Sequence, residues 1–234
     1  MSQGQRGDGP VKPVMEAHQG EDSPYWSESR SHVARLVPEQ ARRVLDVGCN
    51  DGTFGASVLA AAPGREVWGI EPHDLDAATA ATRLTGVAQG FYPDALAEVP
   101  GTFDCVSFNH VLEHMIDPWA ALRATRERLV PGGVIVGELP NVRHLPFIVD
   151  LALRGRFDYV DSGLLDRTHL RFFTRSSAQE LFTSTGYEVE EFFPVVAMGN
   201  ARFPRTSKVV AKVIGDLSYM AFAFRARAVA DTTV

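Results

Sequence analysis

The sequence predicts a single α/β domain in which helices cover both faces of a mainly parallel sheet. From Arg42 onward, short apolar runs alternate with segments of helical periodicity, which is typical of strands joined by crossover helices. With 234 residues, 45% of them hydrophobic, the chain can bury such a sheet in one core. We find no internal repeat, so repeat architectures are excluded.

Seven apolar runs predict the strands of this sheet. The first five are Arg43–Val47, Glu66–Glu71, Gly86–Gly90, Phe103–Asn109 and Gly133–Leu139, and the later two are Glu188–Val196 and Ser218–Val229. Glycine and proline mark the ends of the intervening helices. These are predicted over Thr53–Ala62, Asp74–Leu84 and Asp117–Val130, and in a segment from near Arg175 in which Ser177 and Glu180 have capping-box spacing.

The domain organisation has two irregular parts. Residues 1–23 are rich in glycine, proline, glutamine and charge, so we expect a flexible arm before a domain spanning 24–234. Residues 142–173 interrupt the alternation after the fifth strand, and we expect a helical insertion there. Because ligands of open α/β sheets bind beyond the carboxyl ends of the strands, this insertion is predicted to form much of a substrate pocket.

Composition restricts the classes of partner. The formal net charge of −6 argues against a general nucleic-acid binder, which usually presents a basic face. Two cysteines, Cys49 and Cys105, cannot form a disulfide framework, and both are predicted to be buried, as suits a reducing cytoplasm. The N-terminus lacks the apolar region of a signal peptide, and no apolar run reaches the ~20 residues of a membrane span. We therefore expect a cytoplasmic protein with no membrane partner.

The strongest motif is a glycine-rich turn between the first strand and the first helix. It reads Val44-Leu45-Asp46-Val47-Gly48-Cys49-Asn50-Asp51-Gly52-Thr53-Phe54-Gly55. Gly48 allows a ligand to approach the backbone, and Gly52 allows tight helix packing. A second acid, Glu71, ends the next strand at the position from which a carboxylate can bind both ribose hydroxyls.

The charge of this turn distinguishes between two cofactors. A dinucleotide site uses its glycine turn to bind a pyrophosphate at the helix N-terminus. Here Asp46 precedes the turn and Asp51 lies within it. Two carboxylates would repel a diphosphate, but they suit a cationic sulfonium that also carries an ammonium group. The motif therefore favours S-adenosylmethionine over NAD.

The chain resembles class I S-adenosylmethionine-dependent methyltransferases along most of its length. Besides the glycine turn, the matching segments are Trp68–Pro72, Phe103–Val106, Asn109–Pro118 and Leu129–Gly133. Pro140–Val142 and Gly163–Thr174 resemble a bacterial subfamily found beside glycosyltransferases and in natural-product pathways. The resemblance implies a Rossmann-like fold with a seven-stranded mixed sheet and a cofactor site that includes Asp46, Gly48, Cys49, Asn50, Gly52, Glu71, Asn109 and His110.

The match departs from the family pattern at two places. Asn50 replaces the usual middle glycine of the turn, and asparagine also tolerates left-handed backbone. After the third strand, Phe91 or Tyr92 is available to stack on the adenine ring.

Methyl transfer to oxygen requires alignment of donor and acceptor and removal of one proton. Histidine is the most suitable base near neutral pH, and we select His169 first and His144 second. The alternative for His169 is a structural hydrogen bond that holds the insertion. His114 belongs to an element common in metal-free members of the family, so packing is the better interpretation for it.

A metal site is the alternative to a histidine base. The pattern His110-x-x-Glu113-His114, with His169 far along the chain, resembles the Mg²⁺ ligands of small-RNA 2′-O-methyltransferases. His110 stands where those enzymes have a carboxylate, which suits a softer ion than Mg²⁺. At the level of sequence we favour the base over the metal.

The function that we predict is O-methylation of a small-molecule acceptor by S-adenosylmethionine. The subfamily resemblance implies a sugar or a glycosylated natural product. The alternatives are a metal-dependent RNA 2′-O-methyltransferase, a non-catalytic cofactor-binding scaffold and an NAD-dependent oxidoreductase. The sequence leaves open whether the protein forms a homodimer.

Overall fold

A computed structural model describes residues 30–197 and 214–230 of the chain. The predicted N-terminal arm, residues 1–23, lies outside these ranges. The described residues form one seven-stranded sheet in the order β3-β2-β1-β4-β5-β7-β6. Its strands are β1 Arg43–Val47, β2 Glu66–Glu71, β3 Gly86–Gln89, β4 Phe103–Asn109, β5 Leu129–Pro140, β6 Tyr187–Ala197 and β7 Tyr219–Ala228.

The strand pairing confirms the predicted mixed sheet. Strands β1 to β5 pair in parallel, and β7 lies antiparallel to both β5 and β6. The helices are α1 Ser31–Ala34, α2 Thr53–Ala60, α3 Asp74–Ala81, α4 Pro118–Arg128, α5 Leu145–Arg154 and α6 Arg175–Ser184. Because β1, β2 and β4 are neighbours, their carboxyl ends bring the glycine turn, Glu71 and Asn109 to one edge.

The start of β5 and the capping box of α6 differ from the prediction. Strand β5 begins at Leu129, four residues before the predicted Gly133, because Leu129 already pairs with Phe103 of β4 ahead of a register shift. The capping box of α6 is formed by Thr174 and Ser177, not by Ser177 and Glu180. The Thr174 hydroxyl accepts the Ser177 backbone N–H, so the helix begins at Arg175.

Apolar side chains cover both faces of the sheet. Alternate residues of β1 separate between the two sides, with Leu45 in one hydrophobic cluster and Val44 in the other. The first cluster packs β4 and β5 against α4 and α6, whereas the second packs β1 and β2 against α1 and α2. Both cysteines are buried free thiols, as predicted. No helix within the described ranges is long and apolar enough to cross a membrane.

Candidate active site

The glycine turn opens a cleft at the carboxyl edge of β1. Gly48, Asn50 and Gly52 all have positive φ, at 66°, 48° and 81°. A Cβ at Gly48 would lie 2.7 Å from Cγ2 of Val111, so glycine is required there for space as well as for conformation. The turn borders an open cleft lined by Arg30, Asp46, Gly48, Cys49, Asn50, Asp51, Thr53, Phe54 and Asn109.

Asp46 provides a buried carboxyl group at the base of the cleft. It is 2% exposed, and it accepts a 2.7 Å hydrogen bond from the Ser107 hydroxyl. Burial raises its pKa to about 7 in spite of that bond. A cation bound in the cleft would favour the ionised carboxylate, so the site is suited to a positively charged ligand.

Glu71 fixes the turn from the end of β2. One carboxylate oxygen accepts the backbone N–H of Asn50 at 2.8 Å, and the other accepts that of His73 at 3.0 Å. Burial raises the pKa of Glu71, although both hydrogen bonds oppose the shift. The carboxylate is thereby oriented, and each oxygen keeps a lone pair for a further donor.

Two further polar residues line the cleft: Arg30, which the sequence does not predict, and Asn109, which it does. Arg30 lies in the cleft and interacts electrostatically with Asp46, and nothing in the local sequence marks it. Asn109 was expected at the cofactor. Its amide oxygen is buried without a hydrogen-bond partner within the described residues, and its amide group is close enough to Asp46 to lower the pKa of that carboxyl. The oxygen is therefore available to a polar ligand, because an unsatisfied buried acceptor is costly.

His110 lies between two buried carboxylates and not in the cleft. Its Nδ1 contacts Oε1 of Glu113 at 3.0 Å, and its Nε2 contacts Oε1 of Glu138 at 3.1 Å. The second oxygen of Glu138 contacts Nε2 of His32 at 2.5 Å. Burial lowers the pKa of His110, but the two carboxylates outweigh it and raise the value to about 9. Both ring nitrogens are engaged, so the structure does not support His110 as a cofactor or metal contact.

Glu113, His114 and His169 form a compact buried cluster beside this network. One ligand atom from each lies within 4.8 Å of the other two. Glu113 is fully buried and follows β4 in a short 3-10 turn, Leu112–His114. The rings of His114 and His169 meet edge to face, with 4.7 Å between centroids. The structure thus brings together three of the four residues predicted for a metal site.

Hydrogen bonds assign the proton of both cluster histidines to Nδ1. Nδ1 of His169 lies 3.0 Å from the carbonyl oxygen of Leu164, which can only accept. Nδ1 of His114 lies 2.9 Å from the Thr168 hydroxyl, whose own proton goes to Asp166 at 2.7 Å. The Nε2 atoms therefore carry the lone pairs, and neither has a hydrogen-bond partner within the described ranges.

The remaining candidate residues, His144, Phe91 and Tyr92, lie outside the cluster of Glu113, His114 and His169. His144 precedes α5 and is not part of the cluster, although its Nε2 is buried without a partner in the described chain. Phe91 is 54% exposed. Tyr92 packs edge to face on Phe108 and shares a 2.7 Å hydrogen bond with Thr125. Tyr92 is therefore directed into the core, which argues against its predicted stacking on adenine.

The insertion has an exposed half and an anchored half. Helix α5 buries only Phe147 among its ten residues. Farther along, the backbone N–H groups of Leu170 and Arg171 both donate to the carbonyl oxygen of Glu113, at 2.8 and 2.9 Å. His169 belongs to the anchored half and bonds to Leu164 of the exposed half, so the anchored half is part of the cluster's framework.

We expect hydrogen exchange to divide the insertion in the same way. In the free protein, amides of 145–165 should exchange quickly, because they are on exposed backbone with few buried contacts. Amides of 166–173 should exchange slowly, because Leu170 and Arg171 bond to a buried turn. Helix α4, which buries four side chains, is the internal control. Equal protection of α5 and α4 would contradict the division.

The fold and the cleft define the class of protein. S-adenosylmethionine carries a sulfonium and an ammonium cation together with a ribose, and the cleft offers it the Asp46 carboxylate and the buried amide oxygen of Asn109, with Glu71 beside the turn. These residues fit the cofactor. The fold and the cleft are those of a class I methyltransferase domain with a site suited to S-adenosylmethionine.

Comparison with known proteins gives the family. The chain belongs to the methyltransferase domain family, whose profile matches residues 22–191. A relative from Xanthomonas campestris pv. campestris (strain B100), named ubiquinone biosynthesis O-methyltransferase, is 33% identical over 144 residues, covering 59% of this chain and 58% of its own. A relative of the same name from Cereibacter sphaeroides (strain KD131 / KCTC 12085) is 34% identical over 159 residues, covering 65% and 62%. The chain thus spans about three-fifths of these relatives.

Solved structures share the fold. A SAM-dependent methyltransferase from Archaeoglobus fulgidus aligns with a TM-score of 0.59 at 20% identity, covering 86% of this chain and 94% of that one. An S-adenosylmethionine dependent methyltransferase from Mesorhizobium loti aligns with a TM-score of 0.58 at 17% identity, covering 86% and 98%. These similarities confirm the predicted class I architecture.

Replacing Glu71 by alanine should weaken S-adenosylmethionine binding by at least about 1.5 kcal/mol, since two charge-assisted hydrogen bonds to ribose would be lost. Isothermal titration calorimetry measures the change. Glu66→Ala is the matched control, because Glu66 begins the same strand and its half-exposed side chain pairs with Arg43. Unchanged affinity in Glu71→Ala would remove Glu71 from the cofactor site.

Proposed function

We propose that the protein transfers a methyl group from S-adenosylmethionine to a hydroxyl oxygen of a small-molecule acceptor. The observation that carries this proposal is the cluster of Glu113, His114 and His169. Glu113 and His114 come shortly after Asn109, which lines the cofactor cleft, and His169 joins them from the insertion. A hydroxyl must lose a proton when it is methylated, and the cluster supplies basic groups at that edge of the sheet.

S-adenosylmethionine supplies a methyl group on a cationic sulfur. Asp46 is suited to its ammonium group and Glu71 to its ribose, as the charge of each side chain and its place at a strand end indicate. Arg30, the cation in the cleft lining, is suited to its carboxylate. The three side chains would fix the donor, so that its methyl group meets the acceptor in one orientation.

The protonation states of the cluster residues suit the cluster to accept a proton or to bind a cation. Burial lowers the pKa of His114, so its ring is neutral at pH 7. His169 presents an Nε2 lone pair because its Nδ1 proton is held by Leu164. Burial would raise the pKa of Glu113, but the hydrogen bond and charge of His110 lower it overall. The carboxylate is therefore ionised, and it favours positive charge at the cluster.

The relatives change the expected acceptor. The expectation of a sugar or a glycosylated natural product, which rests on the subfamily resemblance, is not confirmed. Two relatives at 33% and 34% identity are named for O-methylation in ubiquinone biosynthesis, which does not point to a sugar. We accordingly propose a hydroxyl on a small molecule that is not a carbohydrate.

Methyl transfer from labelled S-adenosylmethionine tests this function. We expect incorporation into phenolic or other non-carbohydrate alcohols, with nuclear magnetic resonance showing a methoxy product. Sugars and RNA oligonucleotides in the same panel test the other acceptor classes. Exclusive N- or C-methylation, or methylation of the sugars or RNA alone, would contradict the proposal. Tight donor binding without transfer to any acceptor would indicate a non-catalytic scaffold.

A further inference from the structure

We propose that Glu113, His114 and His169 bind a divalent transition-metal ion at which the acceptor hydroxyl loses its proton. This inference rests on the proposed O-methylation and specifies how the cluster acts. The three residues converge with donor atoms within 4.8 Å of one another, and Glu113 and His169 are buried. Two imidazoles and one carboxylate are a donor set typical of catalytic zinc and non-haem iron sites.

The histidines are arranged as metal ligands usually are. A ligating histidine donates its second ring N–H to a carbonyl or another oxygen, which orients the ring and directs the other nitrogen to the ion. His169 donates to the Leu164 carbonyl, and His114 donates to the Thr168 hydroxyl. Thr168 is itself fixed by Asp166. These hydrogen bonds orient both rings as they would be oriented around a metal ion.

Glu113 supplies the second, independent observation. Its Oε2 is buried and has no hydrogen-bond partner within the described residues, although the side chain is fully buried and charged. Its Oε1 is occupied by His110, which leaves Oε2 as the free acceptor. An unsatisfied buried carboxylate oxygen is costly, and a cation between Oε2 and the two Nε2 atoms would satisfy it.

The chemistry of the three ligands selects the ion and its task. Imidazole nitrogen suits zinc, iron, cobalt or nickel better than magnesium, which prefers oxygen. Bonds of roughly 2.0–2.2 Å to one ion would bring the three donors, which lie within 4.8 Å of one another, closer together. Three protein ligands leave open positions for the acceptor oxygen. A hydroxyl bound there loses its proton to solvent, the new O–C bond forms as the C–S bond breaks, and the sulfonium becomes a neutral thioether.

Binding of Co²⁺ to the metal-free protein tests the site without relying on activity. We expect one equivalent of Co²⁺ to give visible absorption bands with a nitrogen and oxygen donor set, and Zn²⁺ to displace them. Glu113→Gln and His169→Gln should each weaken Co²⁺ at least ~100-fold, since loss even of an outer-shell partner costs 10–100-fold. Thr168→Val should weaken it by at most about tenfold, because it removes the hydroxyl partner of His114 and keeps the Thr168 carbonyl oxygen that also accepts from Nδ1.

His144→Ala is the matched control for metal binding, because His144 is in the same insertion but outside the cluster. Its Co²⁺ affinity should equal that of the wild type. Calorimetry with S-adenosylmethionine verifies that each variant keeps its cofactor site. The metal proposal is overturned if the wild type does not bind Co²⁺ stoichiometrically, if Glu113→Gln keeps full affinity, or if chelator-treated protein methylates its acceptor at the full rate. That last result would leave the proposed O-methylation intact, with His169 acting as the base.

Discussion

Replacing His169 by alanine is expected to lower turnover by about 10²–10⁴-fold while the affinity for S-adenosylmethionine stays unchanged. His169 contributes a free Nε2 to the cluster and is not in the lining of the cofactor cleft. Its loss therefore removes proton transfer or metal binding but not donor binding. Initial rates at saturating donor, together with calorimetry, separate the two effects.

His144→Ala is the comparison variant for this experiment. His144 is the second candidate base from the sequence, but the structure leaves it outside the cluster. We expect it to lose much less activity than His169→Ala. A fully active His169→Ala enzyme would refute the cluster mechanism. An inactive His144→Ala enzyme with an intact fold would identify His144 as the base that removes the proton.

Replacing His110 by asparagine is expected to destabilise the protein by about 3 kcal/mol, because removal of one partner leaves buried charges unpaired. His110 bridges Glu113 and Glu138, whose side chains are 0% and 7% exposed. Asparagine tolerates the positive φ of 57° at this position, so the substitution tests charge and not backbone strain. Urea unfolding at neutral pH measures the change. Asp150→Asn, which breaks an exposed pair with Arg154, should cost at most ~0.5 kcal/mol.

The pH dependence of stability gives a second measure of this network. The pKa of His110 is raised from 6.5 to about 9, so its contribution is complete below pH 6.5 and is lost as the pH rises through about 9. The pKa of Glu138 is lowered from 4.5 to about 2, so its contribution is complete above pH 4.5 and is lost as the pH falls towards 2. The difference between wild type and His110→Asn should be largest between pH 4.5 and 6.5. A difference independent of pH would contradict the charged network.

Much of the fold follows from local sequence patterns. Strands β1, β2 and β4 match their predicted bounds, because each is an apolar run that ends at the glycine turn or at a polar residue. The start of β5 could not be predicted in this way, since the Pro131-Gly132-Gly133 turn is typical of a loop. Pairing of Leu129 with β4 overrides that local preference.

The site is predictable where it is local and unpredictable where it depends on distant contacts. Asp46 and Glu71 could be located because each has a fixed place relative to a strand end. His110 was assigned to the cofactor or to a metal because the sequence does not show Glu138, 28 positions away, turning towards its ring. The contact of His32 with Glu138 joins residues 106 positions apart, and no periodicity signals it.

The division of the insertion has a consequence for how the acceptor range of such an enzyme can change. Glu113 is connected at two points: its Oε1 contacts His110, and its carbonyl oxygen accepts from Leu170 of the returning chain. Leu164, near the end of the exposed half, also orients His169 through its carbonyl oxygen. Residues 145–156 make no hydrogen bond to these residues, so this segment can be exchanged or lengthened while the chemical centre stays in place. Directed evolution towards new acceptors should therefore accumulate its changes in 145–156 and leave 157–173 untouched.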